Sequence, residues 1–358
     1  MTPKGGGRME SKASNSVMTR ARAKYGCRLK NEDYEALAGA QNLKEVVSYM
    51  RNRPGYAEHF EKLASDPVLS RLKLEHALRS AFETEAKRLC GFEKSVGYPI
   101  YKYMILDVET ELILDYIINL SFGTPEKMIL KIPQKTNSGT KVDFSKLFQI
   151  SDTAELSRYL AKTKYSKLNA VLPKNKDEEF DISLIEATLG KIKYKMVFEG
   201  IEKSFSAETA KILSSGILMR IELSDFDMVY RAKKYYNLTE SYIRTNLVGY
   251  RYLLSAGTFE QILAADADEA LRILKKSRYA AKIRRHGIED IELFRKKAVM
   301  EDEVRQIHFS ADPAVVLASY LRYLETECEN VTRIIEGITY KVPKDDILKN
   351  LIITERGA

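Results

Sequence analysis

A chain of 358 residues is long enough to bury sizeable cores, with room for about two to three folding units. Hydrophobic residues at 44% and charged residues at 30% exclude disordered, collagen-like and membrane-spanning classes, and 18 glycines with 9 prolines leave little turn punctuation for many short strands. The net charge of +8 is a small excess between two large populations and permits acidic partners without demanding them.

In chain order, residues 1–16 read as a flexible tail around Gly5-Gly6-Gly7, with no apolar signal core and with Met9 as a second possible start. Apolar residues at Leu74, Leu78, Ala81, Phe82, Ala86 and Leu89 recur at three and four, the stripe of an amphipathic helix. The run Leu112 to Leu120 is broken by Asp115, so nothing approaches the ~18–20 apolar residues of a bilayer span. Ser206, with Glu208 in the first turn, caps a helix whose stripe Leu213, Ile217, Ile221, Met228, Ala232, Tyr235 is interrupted at Ser224 and Asp225. Asp312-Pro313 opens a last helix through Val316, Tyr320, Leu324, Val331 and Ile335, with Gly337 as its expected end. The fold class expected is all-α.

Three windows of this chain align with one another. Tyr34-Glu35-Ala36-Leu37 precedes Glu45, Val46 and Tyr56; Phe144-Ser145-Lys146-Leu147 precedes Glu155, Leu156 and Tyr165; Phe259-Glu260-Gln261-Ile262 precedes Glu269, Ala270 and Tyr279. Each suits two short packed helices followed by a core tyrosine. A second set, Glu109-Thr110-Glu111, Asp225-Phe226-Asp227 and Glu327-Cys328-Glu329, follows the first in the same order, and Met128–Phe144 matches Ile243–Phe259 in length. The division expected is three helical repeats over 17–125, 126–240 and 241–358.

Familiar catalytic patterns do not occur. Gly190-Lys191 and Gly139-Thr140-Lys141 fail the phosphate-loop order, and there is no Gly-x-Gly-x-x-Gly or Gly-x-Ser-x-Gly. The histidines His59, His76, His286 and His308 include no helix-spaced pair, and Cys27, Cys90 and Cys328 form neither a metal knuckle nor a disulfide framework, which fits a reducing cytoplasm. Acids two apart diverge around a helix, so the repeated pairs read as buried anchors of helix ends or loops, or as a solvated face, and not as an acid/base couple. No catalytic, cofactor-binding or metal-ligating residue is therefore assigned. The basic stretch Leu274 to His286 reads as one short cationic helix, better suited to a solvated or protein-binding face than to nucleic acid because Glu289, Asp290 and Glu301-Asp302-Glu303 offset it. Asn237-Leu238-Thr239 and Asn330-Val331-Thr332 match the glycosylation pattern only formally.

The C-terminal run from Glu329-Asn330-Val331 through Gly337-Ile338-Thr339-Tyr340 to Pro343-Lys344-Asp345-Asp346-Ile347 resembles the closing signature of the C-type subunits of archaeal A-type ATP synthases, a family that includes the d-type subunits of V-type rotary ATPases. Arg20-Ala21-Arg22-Ala23, Leu29 and Asp33-Tyr34-Glu35-Ala36-Leu37 resemble its N-terminal repeat, and the likeness runs from about Val17 to Ile353. The resemblance implies a funnel of three pseudo-threefold related helical bundles and a non-catalytic central-stalk subunit. It implies as partners a membrane proteolipid ring and central shaft subunits, a peripheral place on the cytoplasmic face, and no cofactor or nucleic acid. On that expectation the basic helix from Lys275 to Arg285, with Lys282, Arg284 and Arg285 among its cations, belongs to a rim facing an acidic partner or lipid headgroup surface. The alternative is a basic helical-repeat protein that binds nucleic acid, as the pI of about 9.0 permits.

Overall fold

The computed structural model describes residues 7–124, 142–175 and 178–353, with side chains from Asn15 onward. Its helices are α1 (Gly7–Gly26), α2 (Asn31–Ala38), α3 (Leu43–Met50), α4 (Ala57–Ala64), α5 (Arg71–Phe92), α6 (Lys94–Ser121), α7 (Phe144–Leu147), α8 (Thr153–Leu160), α9 (Ile182–Ser204), α10 (Ala207–Tyr235), α11 (Glu240–Thr245), α12 (Ala256–Ala264), α13 (Ala267–Lys276), α14 (Ala280–His286), α15 (Ile291–Phe309), α16 (Pro313–Thr339) and α17 (Lys344–Lys349). A 3₁₀ turn at Ser166–Ala170 lies between α8 and α9. No strand occurs among the described residues, and the protein is all-α as expected. Residues 7–16 already belong to α1, while residues 1–6 and 125–141, with Gly139-Thr140-Lys141 and most of Met128–Phe144, lie outside the described residues.

The chain forms two compact units, Met1–Ile100 with Lys282–Ala358, and Tyr101–Ala281. In the first, α16 is the central helix, packed by α15, α1 and α5. Every residue from Ala314 to Leu321 is buried, the mark of a helix apolar all round, and each fully buried aliphatic side chain is worth about 1.5–3 kcal/mol. Its start is as expected: the Asp312 carboxylate accepts the amides of Ala314 at 2.8 Å and Val315 at 3.3 Å, with Pro313 at the first helical position.

Its end is not. α16 runs past Gly337 to Thr339, and Gly337 is buried inside the helix. A Cβ there would meet Cδ1 and Cγ1 of Ile347 at 2.5 Å, so the glycine is needed for the close approach of α17 and does not stop the helix. On α5, Leu74, Leu78, Ala81, Ala86 and Leu89 are buried as the stripe requires, and Ser70 caps the Lys73 amide.

In the second unit, Leu112, Ile113, Tyr116 and Ile117 of α6 pack with Phe144, Leu147, Leu156, Leu160 and Tyr165. A second cluster joins Val197 and Ile201 of α9 to Ile217 and Ile221 of α10. Ser206 caps α10 through the Thr209 amide, and the helix ends at Tyr235, two residues before Asn237 turns left-handed at φ 48°. Tyr235, the expected end of the buried stripe, is 65% exposed. No helix among the described residues is long and apolar enough to cross a membrane.

Candidate functional site

The aligned windows fall on like elements. Tyr34, Phe144 and Phe259 are buried aromatics of the short helices α2, α7 and α12, and each short helix is followed by another, α3, α8 or α13. The aligned tyrosines Tyr56, Tyr165 and Tyr279 are buried at the ends of these pairs. Each faces a buried glutamate of a long helix. The Tyr56 hydroxyl donates to Glu327 Oε1 at 2.6 Å and the Tyr279 hydroxyl to Glu222 Oε2 at 2.7 Å. Burial first, then Glu109, pushes the Tyr165 phenol far above its ordinary value.

These acids also hold backbone. Glu327 accepts the Leu29 amide at 2.7 Å, and Glu222 accepts those of Tyr252, Leu253 and Leu254 at 2.7, 2.9 and 3.1 Å. Asp225 accepts the amides of Val248 and Gly249, each at 2.9 Å, and the Arg251 guanidinium at 2.8 Å. An ionised carboxylate can accept about four such bonds, which is why acids stand where loop amides would otherwise be buried unmet. The aligned acid pairs set Asp225 opposite Glu109 and Glu327, whereas the acid that holds Tyr279 is Glu222, one turn earlier. The second acid of a pair points away: Glu327 is buried, while Glu329 is partly exposed and binds Lys296 at 2.8 Å.

A cavity of about 690 Å³ opens in the first unit between the end of α1, α2, α15 and α16, with Glu327 in its lining. Burial pushes the Glu327 carboxyl up to about 7, against the Tyr56 hydroxyl, the Leu29 amide and the Arg28 charge that favour its ionised form. Arg28 lies 4.2 Å over the Tyr25 ring and donates to the Tyr25 carbonyl. Glu301, also in the lining, is already gripped by Lys282 at 3.3 Å, by His286 at 3.0 Å and by Arg285. Burial works to raise its pKa, but the His286 hydrogen bond and the Lys282 and Arg285 charges overcome this and hold it below the usual glutamate range. Lys30 and Lys297 complete the cationic lining and form no ion pair with the described residues. The cavity thus combines cations, phenols and apolar side chains, a lining for an anionic group attached to something apolar.

The basic stretch differs from its expected form. It is not one helix: α13 ends at Lys276 and α14 begins at Ala280. Ser277 donates to the Leu274 carbonyl at 2.7 Å and accepts the Tyr279 amide at 3.2 Å, a local alternative to continuing the helix. Lys282, bound to Glu301 and to Asp302 at 2.8 Å, is largely buried and serves as an anchor, so three successive cations are not offered together to a phosphate chain.

Among the described residues no group of three or more His, Cys, Asp or Glu is placed to hold a metal. The three cysteines are free, and burial pushes the Cys90 thiol up to about 12 and Cys328 higher still, away from nucleophilic character. Asn330, in a formal glycosylation pattern, is buried and closes a paired hydrogen bond with the Ile352 amide and carbonyl, both at 2.8 Å. Arg22 donates to the carbonyls of Ile307 at 2.7 Å and Ser310 at 2.6 Å, closing the end of α15. Neither role is legible from spacing, because the Arg22 partners lie far away in sequence and Asn330 meets Ile352 only once α17 has folded back.

No curated protein sequence matches the chain. The ATP synthase (C/AC39) subunit family model does, across residues 17–350. That span contains the N-terminal and C-terminal stretches that carry the resemblance, all three tyrosine windows and all but the last residues of the cavity lining. The chain belongs to the ATP synthase (C/AC39) subunit family of A- and V-type ATP synthases.

Proposed function

We propose that this chain is a non-catalytic central-stalk subunit of an A-type or V-type rotary ATP synthase, linking a membrane proteolipid ring to the rotating shaft. It thereby couples ATP synthesis or hydrolysis to proton or sodium transport. The observation that carries this reading is the family match over residues 17–350, because the family consists of subunits of that complex and its partners are the complex's other subunits. The subunit lies peripherally on the cytoplasmic face, in keeping with the lack of a membrane-length apolar helix among the described residues.

The three repeats of this reading are 17–125, 126–240 and 241–358, arranged with pseudo-threefold symmetry as a funnel. What supports them is the recurrence of a short helix pair, a buried tyrosine and an opposing buried glutamate at Tyr56, Tyr165 and Tyr279. A coupling element needs helices that keep their register under load, and directional bonds from long helices to loops supply that.

The test is to tag the protein in its native host, solubilise the membranes gently and identify the stoichiometric partners. Recovery with catalytic head, shaft and proteolipid ring is the expected result. Recovery with nucleic acid, or alone from the soluble fraction, overturns the reading.

A further inference from the structure

We propose that the cavity of the first unit is a docking site for an acidic peptide segment of a partner protein, with Arg28, Lys30 and Lys297 supplying the charge that receives it. The inference rests on the cavity and its charge, independently of the stalk assignment.

Size is the first argument. Ligand pockets span ~300–1,000 Å³, and at about 690 Å³ this one would be left mostly empty by a small anion such as phosphate but is filled by a few residues of peptide.

Charge is the second. Of the acids of the lining, Glu301 is held by Lys282, Arg285 and His286, and Glu327 is bonded to the Leu29 amide and the Tyr56 hydroxyl and shares the Arg28 charge, which leaves Lys30 and Lys297 uncontested by either. Glu32, exposed at the start of α2, is the third acid of the lining and is itself engaged in an interaction. Lys30 and Lys297 have no carboxylate partner among the described residues, and Arg28 rests on an aromatic ring. A cationic lining that its own fold does not neutralise is complementary to carboxylates, and guanidinium and ammonium groups recognise them by charge-assisted hydrogen bonds.

The third argument is the rest of the wall. Val304 on α15 and Ile353 keep part of their apolar surface exposed, beside the edges of the largely buried Tyr25, Tyr34 and Met300. A carboxylate-bearing peptide with apolar neighbours uses all of this surface, whereas an inorganic anion or a bare phosphate group uses the cations alone.

The experiment titrates the full-length protein into a fluorescent, N-acetylated eight-residue peptide of alternating leucine and glutamate, with anisotropy as readout. The same peptide with glutamine in place of glutamate, inorganic phosphate and phosphatidylglycerol vesicles serve as competitors. The expected result is saturable binding to the glutamate peptide, weakened about tenfold by Lys297→Glu and again by Lys30→Glu, retained by Lys297→Arg, and falling with ionic strength. Lys275→Glu and Lys276→Glu, which alter cations outside the cavity lining, leave it unchanged. An unchanged thermal melt of Lys297→Glu excludes unfolding as the cause of its loss. No binding, equal binding of the glutamine peptide, or equal weakening by Lys275→Glu overturns the proposal, as does displacement by phosphate or by vesicles at concentrations below the peptide's.

Discussion

Replacement of Glu327 by Gln changes how the stability of this protein depends on pH. Glu327 is 3% exposed and burial pushes its carboxyl to about 7, from 4.5 for an unburied glutamate. Between those values the native state retains a proton that the unfolded chain has released. Stability therefore falls as pH rises, at about 1.4 kcal/mol per pH unit across the interval, and is level again above about 7. The whole loss assigned to this side chain is about 3 kcal/mol, an order-of-magnitude figure. The loss is complete above the folded value and absent below about pH 4.5.

Glutamine keeps an oxygen for the Leu29 amide and a polar end for Tyr56 but cannot ionise, so it removes this dependence. With no tryptophan and 21 tyrosines, the chain is followed by near-ultraviolet circular dichroism. Urea unfolding of both proteins is compared at several pH values between about 5 and 8. The wild type should lose about 2.5 kcal/mol relative to Glu327→Gln over that range, the first part of the loss lying below pH 5. A constant difference, or one that grows in favour of the wild type as pH rises, would refute the assignment. Tyr56→Phe supplies an internal control: its hydroxyl favours the ionised carboxylate, so removing it moves the inflection to higher pH.

Gly337→Ala places a methyl group against Ile347 and should cost about 1–3 kcal/mol, with a double-mutant cycle to Ile347→Ala recovering part of it; an additive cycle would show that the close approach is not the cause. Asn330→Ala leaves the Ile352 amide and carbonyl without partners in the core, for a loss of about 2–3 kcal/mol and faster proteolysis after Lys349. Unchanged cleavage would mean the C-terminal segment is held by other contacts. Asp225→Ala strands two amides and the Arg251 guanidinium and should lower the thermal midpoint more than Asp227→Ala, whose side chain is 23% exposed against 4% for Asp225 and so stands closer to water.

The parts of this fold that are legible in the sequence are those set by local chemistry. Ser206 and Asp312 are caps because each carries an oxygen that reaches amides within three residues, and the tyrosines align because they occupy like places after like helix pairs. The joint between Leu274 and His286 escapes a periodicity reading because Ser277 interrupts a stretch of good helix formers with its own side-chain bonds. Gly337 misleads because a glycine that ends a helix and one that admits a neighbour look alike until Ile347 is seen beside it. The cavity is not legible at all. Its cations come from residues 28–30 and 285–297 and its buried acid from 327, so no window contains the site.

The recurring glutamates follow from a constraint that helices alone cannot meet. A long buried helix such as α16 satisfies its own amides and has none of its interior backbone acceptors free for a neighbouring loop. Where Leu29 and the segment from Tyr252 to Leu254 turn inward beside such helices, their amides are cut off from water and require acceptors. A glutamate on the long helix supplies two oxygens on a side chain long enough to reach out, and the tyrosine of the short-helix pair fills remaining acceptor capacity. Aliphatic contact alone would hold these surfaces together with little preference for one register, since adjacent methyl groups are nearly equivalent. A carboxylate bound to a named amide and a named hydroxyl has one register, and sliding by a turn breaks every bond at once. For a subunit proposed to pass rotation from one partner to another, that resistance to shear matters more than net stability, which buried polar groups supply poorly.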